Sequence, residues 1–167
     1  MIDALPRTMI AFGDEARKFQ FRTAAIIRRE GYVLIHRSTV EDSWALPGGR
    51  VEMGEPSGEA LFREMQEEMG VDVEVGPLAF VIENLFLDRH QLVHELGLYY
   101  AVEAPESFPF RTDGPCHTVE DGGATLEFQW VRNEGAALRA GLLFPTILCD
   151  RMGGPLDQPV HLLVDER

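Results

Sequence analysis

Glu64, Glu67 and Glu68 lie within the run Arg63-Glu64-Met65-Gln66-Glu67-Glu68-Met69. On a helix, residues three and four apart share a face, so these carboxylates project together. Like charges at that spacing destabilise a bare helix by about 0.2–0.5 kcal/mol per pair, and a bound cation would offset the repulsion. A compact set of carboxylate oxygens suits a hard divalent ion such as Mg²⁺. Just upstream, Pro47-Gly48-Gly49 is a turn that lets backbone approach a ligand closely. The competing reading is a solvated acidic face, the ordinary fate of a charge run. The residues around the run decide between the two.

The elements that must position these acids can be read locally. A helix is predicted from near Pro56-Ser57, because proline suits a first turn, where its missing N–H costs nothing. Leu61, Met65 and Met69 form an apolar stripe at i, i+4 and i+8, with Ala60 and Phe62 beside it. Gly58 is a mild defect in the first turn. Gly70 is placed to end the helix in a left-handed conformation. Before the helix, residues 18–28 and 32–36 read as strands joined at Arg29-Glu30-Gly31 into a hairpin. Residues 44–46 read as a short strand stopped by Pro47. After the helix, strands are expected at 71–75, 78–87, 92–103 and 125–131. Residues 105–123 read as a long irregular loop, a length usually tied to function or mobility. Short helices at 133–140 and 144–152 and a last strand at 160–164 complete the chain. Strands, one helix, more strands and then short helices indicate an α+β arrangement or mixed-sheet sandwich, not repeated βαβ units.

Composition bounds the function classes. The chain has 167 residues, enough for one well-packed domain spanning 1–167. Its formal net charge of −13 argues against nonspecific binding to DNA or to a membrane surface. Acidity does not exclude polyanionic substrates, because bound metal ions reverse the local field. Cys116 and Cys149 are far apart and lack metal-site spacing, so ordinary thiols in a reducing, cytoplasmic setting are expected. The opening residues lack a long apolar core of a leader peptide. No apolar run approaches ~18 residues, so no spanning helix is expected.

The spacing now matters. Gly49 is followed after five residues by Glu55, and after seven more by Arg63-Glu64-Met65. Then come Gln66, Glu67-Glu68, Met69, Gly70 and Val71. This pattern resembles the Nudix box, the signature of the Nudix hydrolase family, with every signature position filled between residues 49 and 71. A chance match somewhere in a chain of this length is on the order of 10⁻⁷. The similarity continues in RTAAII, YVLIHR and W-A-LPGG before the box. It also includes Glu83-Asn84-Leu85-Phe86 with His94-Glu95, and Glu127 to Trp130 followed by LLFP. It covers roughly residues 20–150. The segment Pro56-Ser57-Gly58-Glu59 departs from the common Ser/Thr-Pro-Glu-Glu order, which weakens the helix cap and touches no expected ligand.

The resemblance implies an α/β/α sandwich with a mixed sheet. It implies hydrolysis of a nucleoside diphosphate linked to another moiety X, with Mg²⁺ or Mn²⁺. Glu64, Glu67 and Glu68 are the expected metal ligands, Glu64 and Glu68 foremost by resemblance, with the Gly48 carbonyl completing the sphere. Arg63 is expected to orient the box glutamates, and Glu55 to anchor the loop to the helix. Gly49 and Gly70 are the structural glycines of the box. The general base is either Glu64 or an acid on a later loop, for which Glu120 is preferred over Glu127. Arg37, Trp44 and Arg50 flank the turn as candidate substrate contacts, since arginine pairs with phosphate and indole stacks on bases. Phe19, Phe21 and Arg22 are read as a nucleoside pocket, and His94-Glu95 as a hydrogen-bonded pair facing the site; each also has an ordinary structural reading. Two other function classes stay open: a non-catalytic sensor of a nucleotide such as ADP-ribose, and a prenyl-diphosphate isomerase on the same scaffold. The intact box speaks against both. Dimerisation is common in the family.

Overall fold

Arg17–Ile26 alternates its side chains between two apolar layers, as a strand with both faces covered must. In the computed structural model, which describes residues 6–167, this strand (β2) organises the first sheet. The first five residues, on which part of the expectation about the N-terminus falls, lie outside the described residues. Ala24 and Ile26 face one apolar cluster and Ala25 and Ile27 the other. β1 (Ala11–Gly13) and β5 (Gly48–Arg50) pair antiparallel with β2. On the other side runs β7 (Gln91–Glu103), parallel to β2. β6 (Glu74–Asp88) is antiparallel to β7, and β10 (Val160–Glu166) is parallel to β6 at the edge. The second sheet has the order β3 (Arg28–Arg29), β4 (Tyr32–Ser38), β9 (Ala124–Arg132), β8 (Pro115–Asp121).

Helix α1 (Ser57–Met69) buries Leu61, Met65 and Met69 against residues of both sheets, among them Ala25, Val102 and Phe128. The opposite layer consists of α2 (Gly135–Ala140) and a 3₁₀ turn (Thr146–Asp150), which bring Leu138, Leu148 and Cys149 against Ile26, Phe80 and Ile82. The result is the expected α/β/α sandwich with a mixed sheet. The helix boundaries also match: Pro56 stands at the N-cap, and Gly70 closes the helix at φ 68°, ψ 22°. Among the described residues no helix is long and apolar enough to cross a membrane.

Three local expectations are corrected. The hairpin across residues 18–36 is reduced to Arg28-Arg29 pairing with Tyr32-Val33. Both edges of β2 are already taken by β5 and β7, so β4 leaves to pair with β9. Residues 71–75 and 78–87 do not make two strands. β6 runs through Gly76-Pro77 with register shifts there, because a bulge tolerates the proline's missing N–H. The stretch 105–123 is not loop throughout, since Pro115–Asp121 pairs with β9. What remains of the loop is pinned by Arg29, whose guanidinium donates to the carbonyls of Ala104, Pro105 and Phe108.

Candidate active site

The site begins where β5 passes into the loop before α1. Gly48 pairs with Ala24 so closely that a Cβ on it would lie 2.1 Å from the Thr23 carbonyl oxygen. A Cβ on Gly49 would lie 2.2 Å from the carboxyl carbon of Glu64. The turn is therefore glycine for two reasons: one residue is pressed against backbone, the other makes the seat for a carboxylate.

Arg63 ties the loop to the helix. Its guanidinium donates to both oxygens of Glu55, at 2.7 and 3.1 Å, to Glu64 at 2.8 Å and to the Arg50 carbonyl at 3.3 Å. Glu67 lies 3.4 Å from the same group. Glu55 also accepts the backbone N–H of Glu52 at 2.8 Å, which closes the turn. The hydrogen bonds from Arg63 hold the Glu55 carboxyl below the usual carboxylate range, and these partners push the Arg63 guanidinium further up. Glu64 moves the other way. Burial raises it first, Arg63 opposes, and the charges of Glu68 and Glu67 add to the rise.

Glu68 is 7% exposed, and its Oε2 faces Nδ1 of the equally buried His36 at 3.3 Å. Among the described residues neither atom has a hydrogen-bond partner. Unpaired buried polar atoms are uncommon and ask for a reason. The His36 ring lies against Phe128, and its Nε2 is 3.5 Å from Arg22. Glu67, by contrast, is exposed and ion-paired to Arg7 at 3.1 Å. Shared helix spacing thus does not bring the three carboxylates to one point: arginines draw Glu64 and Glu67 aside, and His36 faces Glu68. Among the described residues no three His, Cys, Asp or Glu side chains stand together in the arrangement of a metal site.

Beside the box lies a cleft of about 720 Å³. Arg37, Trp44 and Arg50 all line it, as does His36. Arg37 is engaged, with Nε donating to Glu127 at 2.7 Å and its guanidinium 4.6 Å over the Trp44 ring. That contact covers the buried indole, so Trp44 holds Arg37 and offers no open stacking face. Arg50 has neutral partners, Gln20 Oε1 at 3.3 Å and the Met9 sulfur at 3.6 Å, which leaves its charge for a ligand. Glu120 stands exposed on β8 and accepts the Thr125 hydroxyl at 2.6 Å. The cleft is lined by its neighbour Asp121 instead.

Strand alternation splits two sequence groupings. Phe19 and Arg22 occupy opposite faces of β2; Arg22 lines the cleft while Phe19 packs against Phe12 and His94 elsewhere. His94 and Glu95 likewise point apart, and only Glu95 faces the cleft. His36 is a site residue that the sequence does not single out. Its signal is a histidine closing the apolar run YVLIH within β4.

A family model for the NUDIX domain matches residues 18–143. The 8-oxo-dGTP diphosphatase of Proteus vulgaris is 45% identical over 47 residues, which cover 28% of this chain and 42% of that protein. The RNA pyrophosphohydrolase of a Nitratiruptor species is 38% identical over 64 residues, 35% of this chain and 41% of that one. The match thus spans about two-fifths of the length of these two relatives. The Escherichia coli (strain K12) 8-oxo-dGTP diphosphatase is 30% identical over 102 residues, 59% of this chain and 76% of its own length. In structure, the MutT protein of Methanosarcina mazei Go1 superposes with a TM-score of 0.56 at 21% identity, over 84% of this chain and 96% of that one, a likeness of fold. With the complete box inside a family match that covers most of its length, the chain belongs to the NUDIX domain family.

Proposed function

We propose that the protein hydrolyses a pyrophosphate linkage in a nucleoside diphosphate joined to a further group X, with Mg²⁺ or Mn²⁺ bound at the box. The observation that carries this reading is the pairing of a seated and a buried carboxylate beside a cleft that Arg22 and Arg50 enter. Glu64 rests on Gly49, and Glu68 keeps an oxygen with no hydrogen-bond partner among the described residues. Both features fit a hard divalent ion, which takes oxygen donors and would meet the Glu68 carboxylate as it turns from the His36 imidazole. Glu64, Glu68 and the Gly48 carbonyl are the groups that would hold it, together with Glu67 once that side chain turns from Arg7 and Arg63 toward the ion. When bound, such an ion neutralises phosphate charge, polarises phosphoryl oxygens and acidifies water.

The chain's own groups divide the remaining work. Arg50 and Arg22 lie on the cleft wall nearest the box and bind phosphate oxygens. Arg63 fixes the box carboxylates against the loop, so little reorganisation is needed when charge develops. Glu64 accepts the proton of the attacking water. Glu120 is the second candidate base. The relatives, 8-oxo-dGTP diphosphatases and an RNA pyrophosphohydrolase, support the nucleotide class.

The test is a panel of nucleoside triphosphates, nucleotide sugars, ADP-ribose and dinucleoside polyphosphates with Mg²⁺ or Mn²⁺, read by release of nucleoside monophosphate or phosphate. At least one substrate is turned over. Tight ADP-ribose binding with no cleavage of any diphosphate would replace the enzyme with a sensor. For the base, Glu64→Gln alters the pH–rate profile, and a Glu120→Gln profile identical to wild type removes the second candidate.

A further inference from the structure

One sheet face changes character along its strands. Toward one end it is core: Ala24 and Ile26 on β2, Tyr99 on β7, Ile82 on β6 and Val164 on β10. One or two register steps on, the same face becomes the floor of the cleft, with Arg22 and Gln20, Glu95, then Asn84 and Phe86. Gln20, Glu95 and Asn84 are direct cross-strand neighbours, Gln20 opposite Glu95 and Glu95 opposite Asn84.

This trio sets one carboxylate between two side-chain amides. Glu95 is 6% exposed. Its one hydrogen-bond partner among the described residues is the Gln20 amide, which donates to Oε2. A carboxylate offers about four acceptor positions, so most of them are open. Asn84 is 4% exposed, lines the cleft, and its Oδ1 has no partner among the described residues. Gln20 in turn accepts from Arg50, so the trio is wired to the cation beside the box. A buried carboxylate that lines the cleft with a single neutral partner offers its remaining acceptor positions to donors from a ligand, and Asn84 stands directly beside it. Phe86 and the 41% exposed Phe144 supply apolar wall on the same cleft.

We infer that Glu95 and Asn84 form a recognition site for a planar base edge carrying two adjacent N–H donors, the edge that guanine presents. The inference rests on the proposed nucleotide substrate and names its base. Adenine and cytosine place a ring acceptor next to their amine, and that acceptor would face the Glu95 carboxylate. Hypoxanthine keeps the ring N–H and lacks the amine. A ribose diol is the other paired donor, but it is shared by all ribonucleotides and would give no base preference.

The experiment is calorimetric titration of the whole protein with the non-hydrolysable α,β-methylene analogues of GDP, IDP and ADP, in Mg²⁺. The guanine analogue binds tighter than the hypoxanthine one by about 10- to 100-fold, the cost of one lost hydrogen bond to a charged acceptor. The adenine analogue is at least as weak. Glu95→Gln, checked for folding by circular dichroism, lowers guanine affinity by a similar factor and leaves adenine within about two-fold. Equal affinities for the three bases, or no binding of any, overturn the inference, and the comparison of ligands on the unaltered protein needs no variant. A deoxyguanosine analogue that binds about 10-fold or more weakly than its ribose counterpart assigns the trio to the ribose diol and overturns it too. Because binding is read without turnover, a guanine preference in a protein that cleaves nothing would keep this site and remove the hydrolase reading, whereas cleavage without base preference does the reverse.

Discussion

Gly48 and Gly49 are adjacent, yet a methyl group on each meets a different kind of neighbour. At Gly49 the obstacle is the far end of the Glu64 side chain, which can swing away. Gly49→Ala therefore leaves the melting temperature within a few degrees of wild type and displaces the carboxylate. Turnover falls on the order of 100-fold, because catalytic groups tolerate little misplacement. At Gly48 the obstacle is the Thr23 carbonyl, backbone held in β2. Gly48→Ala forces the strands apart and costs about 1–3 kcal/mol, as overpacking does, measured by urea denaturation. The two variants separate a seat for chemistry from a seat for structure. Glu68→Gln keeps the shape of the buried side chain and removes the charge that would meet a cation. It lowers turnover and Mn²⁺ affinity together by on the order of 10–100-fold or more, read by kinetics and by calorimetric titration with Mn²⁺. A variant that binds Mn²⁺ as wild type does would remove Glu68 from the proposed ligands.

The loop and α1 act as one element because Arg63 clamps Glu55, and through it the Glu52 backbone, to the helix. Helix α1 has no side-chain cap at Pro56, so this clamp does the work of fixing its start. A carboxyl depressed in the folded state stabilises the fold above its unfolded pKa, near 4.5, and the contribution is lost as pH falls through the lower folded value. Glu55→Gln is accordingly less stable than wild type by about 1–2 kcal/mol at pH 6. The gap closes as the pH is lowered below about 4.5, followed by denaturation at each pH. This element was legible in the sequence because its signals are local: Pro56 at the start, Gly70 at the end, and an apolar stripe between them. Strand β8 was not. PCHTVED is polar, pairs on one side only and is largely exposed, so neither periodicity nor burial marked it. The partner of β4 was illegible for another reason, since pairing depends on which strand edges remain free, a non-local matter. The box acids could be read from spacing, but Glu95 and Arg22 could be assigned to the cleft only once strand direction separated them from His94 and Phe19.

At the scale of the molecule, a net charge of −13 surrounds a cleft that carries Arg22, Arg37 and Arg50 among acids such as Glu41, Asp88 and Asp121. The two fields act over different distances. At about 0.01 M salt the Debye length is near 30 Å, so an approaching nucleotide senses the repulsion of the whole protein. At about 0.15 M it is near 8 Å, and the ligand senses only the charges it is about to touch. For Arg50, whose partners are neutral, that local charge is not cancelled by a carboxylate. The association rate of a nucleotide, measured by stopped flow with a non-hydrolysable analogue at fixed Mg²⁺, therefore rises several-fold between these salt concentrations. Ordinary steering of an anion into a basic cleft gives the opposite slope, a rate that falls steeply with salt. Arg50→Gln removes the short-range attraction without changing the long-range field much. It lowers the rate at both salt concentrations and preserves the upward slope. A rate that falls with salt in the unaltered protein would mean that the cleft arginines, and not the acidic surface, govern the approach of the substrate.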